Sequence, residues 1–216
     1  MRTNNTFHTL RQFEEKSLYS FDNEHDACGV GLVITLQGEK EHEIVEKGLQ
    51  VLENMVHRGA ESADNLTGDG AGITVQVPHE FILLQGIPVP QEGRYGTGLV
   101  FLPRDEEKRE FCLSLIARTA NEEELSLFHV RDVPVNSGCL GEIALENEPV
   151  IKQLFITGHY PVDVLERKLY VLRKKVEKAI LNTAMAQERS FYMVSLSTRQ
   201  MTYKGMLSSI QLRRYF

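Results

Sequence analysis

Polar and apolar positions divide the chain sharply at residue 28. Residues 1–27 are polar and charged with scattered aromatics (Phe7, Phe13, Tyr19, Phe21) and read as a leader, either an extended arm or a short helix around residues 11–17. Residues 29–36 then form an apolar run rich in β-branched side chains, which predicts a buried strand. Ile44, Val45, Gly48, Leu49, Leu52, Met55 and Val56 recur at helical spacing, with Glu41, Glu43, Glu46 and Lys47 on other faces. A polar, glycine-rich loop follows up to Gly72, then a strand over residues 73–77 and a short helix from Pro78 to Leu84.

Further on, residues 96–102 predict a strand and residues 105–119 a helix. The helix has Asp105, Glu106 and Glu107 in its first turn and Arg118 in its last, the polarity its dipole favours. Residues 125–133 and 150–157 predict strands. Residues 162–182 predict a long amphipathic helix whose stripe is Leu165, Leu169, Leu172, Val176 and Ala179. Residues 191–196 and 201–206 predict a hairpin around Ser197-Thr198-Arg199-Gln200. This order describes a mixed domain of helices and strands with some antiparallel pairing, without internal repeats or linkers.

Composition changes this picture little. The 216 residues suffice for one sizeable domain or two small ones, and 42% hydrophobic content supports a core. A formal charge of −6 argues against nucleic acid or an acidic membrane as partner. The basic cluster Arg173-Lys174-Lys175 lies in a helical pattern near Glu166 and Glu177 and reads as a solvated face. No apolar run approaches the roughly 18 residues of a membrane span, and residues 1–27 lack a signal-peptide pattern. Three unpaired cysteines (Cys28, Cys112, Cys139) fit a reducing compartment, so a cytoplasmic location is expected. The seven histidines are dispersed with no metal-ligand spacing, so no metal site is expected.

Candidate chemistry centres on Cys28. A lone cysteine before a strand is ordinarily a small hydrophobe. Here it stands where the leader ends, with Gly29 and Gly31 leaving the backbone beside it uncrowded. A cut between Ala27 and Cys28 would free an α-amino group of unperturbed pKa about 7.7–8.0, poised to take the thiol proton. Arg58, in His57-Arg58-Gly59, offers a rigid fork of donors for a carbonyl or carboxylate. Taken alone, it reads as a surface residue, and His57 as a structural histidine. Gly68-Asp69-Gly70-Ala71-Gly72 lacks the lysine and Ser/Thr of a P-loop and reads as a tight turn into the next strand.

These residues carry a family resemblance. Glu24-His25-Asp26-Ala27-Cys28-Gly29-Val30-Gly31 resembles the leader-to-nucleophile junction of the glutamate synthase large subunit. So do His57-Arg58-Gly59-Ala60-Glu61-Ser62-Ala63-Asp64, Thr67-Gly68-Asp69-Gly70-Ala71-Gly72-Ile73, Arg131-Asp132-Val133-Pro134-Val135 and Tyr203-Lys204-Gly205-Met206, in order along nearly the whole chain. The resemblance implies an α+β fold: a four-layer αββα N-terminal nucleophile hydrolase domain of class II glutamine amidotransferase type, spanning residues 28–216 behind a removable leader, 1–27. It implies Cys28 as nucleophile, Arg58 as the residue that positions the freed N-terminus, and a site loop drawn from Gly29, His57, Gly59, Asp69 and Gly70.

The activity implied is hydrolysis of L-glutamine to glutamate and ammonia, with the ammonia passed on for reductive transfer to 2-oxoglutarate. FMN and an iron–sulfur cluster are implied for the full-length enzyme and no cofactor for this chain. The partners implied are the remainder of the large subunit and a nicotinamide-oxidising small subunit. The family's His-Ser-Arg-Phe-Ser-Thr pattern and its Asn-Gly oxyanion pair do not occur here. The chain therefore reads as truncated, its fold incomplete at the C-terminal end. Little turnover is expected from it alone, since one lost oxyanion donor costs about a hundred- to thousand-fold in rate. The alternatives are a non-catalytic truncated module and another class II amidotransferase such as amidophosphoribosyltransferase. A papain-like cysteine protease has no supporting signature around Cys28.

Overall fold

The computed structural model describes residues 29–55, 67–68, 70–188 and 190–216. In chain order the elements are α1 (His42–Asn54), β1 (Ala71–Gln76), α2 (His79–Leu84), β2 (Tyr95–Leu102), α3 (Glu106–Glu122), β3 (Ser126–Asp132), a 3-10 turn (Ser137–Cys139) and α4 (Glu142–Glu146). There follow β4 (Val150–Thr157), α5 (Val162–Leu181), α6 (Met185–Glu188), β5 (Tyr192–Met193), β6 (Gln200–Gly205) and α7 (Ser209–Tyr215). The α+β class with antiparallel sheets is the one observed, in a four-stranded sheet ordered β3-β4-β2-β5 and a two-stranded sheet β1-β6.

The long helices form where their periodicity predicts. The α5 stripe Leu165, Leu169, Leu172 and Val176 is fully buried and Ile180 nearly so. It packs with Cys112, Leu115, Ile116 and Ala120 of α3 onto Val100, Leu102, Leu154 and Ile156 of the large sheet. Asp105 caps α3 by accepting from the Lys108 amide at 2.9 Å. The helix runs three residues past the expected end, to Glu122. It closes through Glu124, at φ 58°, and a Leu125 amide that donates to Ala120 O at 2.8 Å. The opposite sheet face carries Leu99 and Ile151, which pack with Leu207, Leu212 and Tyr215 and with Ile73, Tyr203, Leu49 and Leu52. The second sheet, α1 and α7 therefore share one core against the large sheet.

Two expectations are corrected. Residues 29–36 form no strand: Val30, Leu32, Ile34 and Leu36 are 88, 83, 67 and 93% exposed, and no described strand pairs with them. β-branched sequence fits a pleated surface, but a buried strand needs a neighbouring ladder. The predicted hairpin of residues 191–196 and 201–206 is also not formed. β5 pairs with β2, and β6 pairs with β1 in the other sheet, Ile73 opposite Tyr203. A short polar connection permits a hairpin without forcing one. Here the connection carries the chain from one sheet to the other.

That crossing has a specific construction. Val100 pairs with Met193, the Val194 amide donates to Leu99 O, and Thr97 pairs with Ser197. Two residues, Ser195 and Leu196, thus oppose the single residue Gly98, which makes a β-bulge. Beyond it, the Glu166 carboxylate of α5 grips the turn. Its Oε1 accepts from Ser197 Oγ at 2.6 Å, and its Oε2 accepts from the Thr198 amide and hydroxyl at 2.7 and 2.6 Å. No described helix is long and apolar enough to cross a membrane.

Candidate functional site

Of the residues singled out for chemistry, Cys28, His57, Arg58, Gly59 and Asp69 lie outside the described residues, and Gly29 and Gly70 lie within them. What the structure supplies is the frame around these positions. Gly29 and Gly31 run beside Met55 and Val51 at the C-terminal end of α1, the helix that leads directly into residues 57–59. The middle of the same helix rests on β1, where Gly48 meets Ile73. β1 in turn begins directly after the glycine-rich loop. Three contacts follow: the residues after Cys28 lie on the end of α1, the middle of α1 rests on β1, and the loop entering β1 meets the end of β6.

The last contact is the tightest. A Cβ on Gly68 would stand 2.3 Å from the Ser208 nitrogen and 2.4 Å from the Leu207 carbonyl carbon and oxygen. The loop therefore lies on the Leu207–Ser208 peptide with no room for a side chain. Thr67 beside it is fully buried. Gly70, at φ 135°, turns the chain into β1, where Ala71 faces Gly205 and Gly72 faces Lys204. The loop and the Tyr203-Lys204-Gly205-Met206 motif, read separately from the sequence, are thus one structural unit.

α7 completes the frame. Ser208 and Gln211 form a reciprocal capping box. Ser208 Oγ accepts from the Gln211 amide at 3.3 Å, and the Ser208 amide donates to Gln211 Oε1 at 2.8 Å. Sequence reading passed over α7, although Ser-x-x-Gln before an apolar residue is the signal that announces it. Arg213 of α7 pairs with Glu46 and with Glu53 (3.0 Å), both on α1. These groups are about a third or more exposed, so the pairs orient the helices more than they stabilise them.

The two described thiols are poor nucleophiles. Cys112 is fully buried in the α3–α5 core, and burial pushes its thiol up to about 11. Burial also raises the Cys139 thiol, whose Sγ donates to Asn136 O at 3.1 Å. Among the described residues, no group of three or more His, Cys, Asp or Glu side chains could hold a metal ion. Cys112 and Cys139 belong to separate cores, so these residues do not form an iron–sulfur cluster set. A groove of about 590 Å³ opens at the far end of β1, lined by Lys40, Gln76, Glu92, Thr198 and Arg199. Its cations are already paired, Lys40 with Glu92 and Arg199 with Asp163. It lies about 17 Å from the glycine loop along the strand.

Comparison with known proteins gives a consistent answer. The family described as class II glutamine amidotransferases matches residues 28–216. The large chain of NADPH glutamate synthase from Bacillus subtilis is 37% identical over 206 residues, which is 93% of this chain and 13% of that protein. Ferredoxin-dependent glutamate synthase 2 of Synechocystis is 38% identical over 89% of this chain and 12% of its own length. The NADH glutamate synthase of Saccharomyces cerevisiae is 36% identical over 94% of this chain and 10% of its own. The chain thus spans between a tenth and an eighth or so of these relatives.

Proposed function

The chain belongs to the class II glutamine amidotransferase family, and we propose that it is the glutaminase region of a glutamate synthase, with Cys28 as nucleophile after removal of residues 1–27. The observation that carries this reading is where the family match starts. Its first residue is Cys28, the position that becomes N-terminal when the leader is lost.

In the mechanism, the freed α-amine takes the Cys28 proton and the thiolate attacks the side-chain amide carbon of L-glutamine. The resulting oxyanion collapses as the ammonium returns its proton to the amide nitrogen. Ammonia leaves, and a γ-glutamyl thioester remains. Water, deprotonated by the same amine, then releases glutamate and restores the thiol. Arg58 holds the new N-terminus at the correct distance from the sulfur. Gly29, His57, Gly59, Asp69 and Gly70 contribute the surrounding backbone.

On this reading the ammonia is consumed elsewhere in the large subunit, where FMN and an iron–sulfur cluster would deliver electrons to the reductive amination of 2-oxoglutarate. The relatives carry the names of both nicotinamide and ferredoxin enzymes, so either donor class is compatible. A nicotinamide-oxidising small subunit belongs to the first. A thiol nucleophile that must stay reduced suits a reducing compartment, and the cytoplasm is the location proposed.

The test is covalent. Treatment of the purified chain with 6-diazo-5-oxo-L-norleucine expels nitrogen and joins the reagent's C6 to the attacking sulfur. In the chain prepared to begin at Cys28, peptide mapping is expected to find the adduct on Cys28, with Cys112 and Cys139 unmodified and no labelling in Cys28→Ala. A thiol of pKa about 11 leaves Cys112 on the order of one part in a thousand ionised at pH 8. An adduct on Cys139, or no adduct on Cys28, would overturn the reading.

A further inference from the structure

Arg131 is the one half-buried cation among the described residues that has no acceptor. Its Nε is covered by protein and makes no hydrogen bond. The other half-buried lysines and arginines among these residues all donate to an oxygen: Lys108 to Glu188, Arg109 to Arg104 O, Lys152 to Asp132, Lys168 to Glu123 O, Arg173 to Glu177 and Lys204 to Tyr192 Oη. Covered donors are almost always satisfied, because an unpaired one loses its hydration without return. Nor can a guanidinium relieve that cost by giving up its proton.

The setting of Arg131 is equally specific. It lies on β3, the edge strand of the large sheet, opposite Gln153 of β4, and cross-strand partners share a face. That face looks toward β6: Gln153 Nε2 donates to Thr97 Oγ1 at 2.9 Å and to Met201 Sδ at 3.2 Å. Two residues along β6 from Met201, on the same side of the strand, stands Tyr203. Burial raises its phenol above the ordinary range while the Arg131 charge pulls it the other way, so the two groups are electrostatic neighbours. At neutral pH the phenol therefore stays protonated and able to donate. Its hydroxyl, too, has no acceptor among the described residues. The adjacent Asp132 alternates to the other face of β3 and pairs with Lys152 at 2.7 Å. The Arg131-Asp132-Val133-Pro134-Val135 and Tyr203-Lys204-Gly205-Met206 motifs, far apart in sequence, thus meet as one cation and one hydroxyl, both donors.

We propose that Arg131 and Tyr203 together bind a carboxylate at the open edge of β3. A carboxylate is planar and presents two oxygens to the guanidinium fork, with lone pairs left over for the phenol. One cation balances a monoanion, whereas a phosphate dianion would remain half compensated. Neither residue takes part in the acyl transfer, so the site stands independently of the glutaminase reading.

The test is a titration of the full chain, followed by nuclear magnetic resonance. The Arg131 Nε–H signal is identified by its loss in Arg131→Lys. Sodium acetate is the probe, against sodium chloride and sodium phosphate at equal ionic strength. Acetate is expected to move the Arg131 signal and the β6 amide signals along a saturable curve, and chloride to leave them in place. Tyr203→Phe should weaken acetate about tenfold, the loss of one hydrogen bond to a charged acceptor. Arg131→Lys keeps the charge without the fork, and its β6 amides should no longer respond saturably. An equal response to chloride would mean an adventitious ion only and would overturn the proposal. So would tighter binding of phosphate, no response of the parent chain to acetate, or unchanged affinity in Tyr203→Phe.

Discussion

Replacing Gly98 with valine is expected to destabilise the fold by about 3 kcal/mol or more, an effect in the range where backbone has to move. A Cβ at this position would stand 1.8 Å from Ser195 O, 2.4 Å from the Ser195 carbonyl carbon and 2.9 Å from Leu196 Cα. None of these atoms is the free end of a side chain. All belong to the bulge at which the chain leaves the large sheet, so relief requires breaking the pairs at Val194–Leu99 or Ser197–Thr97. The neighbouring Leu99 and Val100 are fully buried, so β2 cannot retreat. Urea unfolding of the variant measures the loss. A change below about 1 kcal/mol would mean that the bulge opens freely and the close approach has no structural consequence.

The second large effect belongs to Glu166. Glu166→Ala is expected to cost about 2–3 kcal/mol, because one carboxylate satisfies three donors of the sheet-crossing turn. Ser197 and Thr198 are 6 and 5% exposed, so water does not readily replace the lost acceptor. Ser197 Oγ also accepts from the Arg199 amide at 3.0 Å and the Gln200 amide at 3.3 Å, which couples the grip to the first residue of β6. The loss should therefore include early hydrogen exchange in β6 and in its partner β1, before the large sheet opens. Glu166→Gln retains an acceptor oxygen and should recover part of the loss. Global unfolding with unchanged β1 and β6 exchange would show that the turn is held by something other than this carboxylate.

Much of this protein was legible in the sequence. The α5 stripe and the α3 cap are properties of local spacing, and their side chains found the core that the periodicity called for. β2 and β4 were legible for the same reason, each being largely buried, and β3 is half-buried along most of its length. Cys28 and Arg58 stand out as candidates through the family resemblance, and the glycine-rich loop as a tight turn beside them in that motif order; Cys28, Arg58 and Asp69 lie outside the described residues. The run at 29–36 shows the opposite case. Its residues suit a strand, and only a partner strand could have made it one.

By itself, the sequence determined most of the helical and extended segments, the mixed α+β class, and the motifs by which the family is recognised. Those follow from near-neighbour periodicity and from motif order, which a linear chain carries in full. Only the tertiary structure decided that β5 and β6 part into different sheets, that Glu166 and Gly98 steer the crossing, and that the glycine-rich loop lies on the Leu207–Ser208 peptide. Each of those contacts joins residues about 30 to 140 positions apart in the chain, where no local pattern reports proximity. They are fixed by close packing, in which a single missing Cβ determines which backbone approaches another.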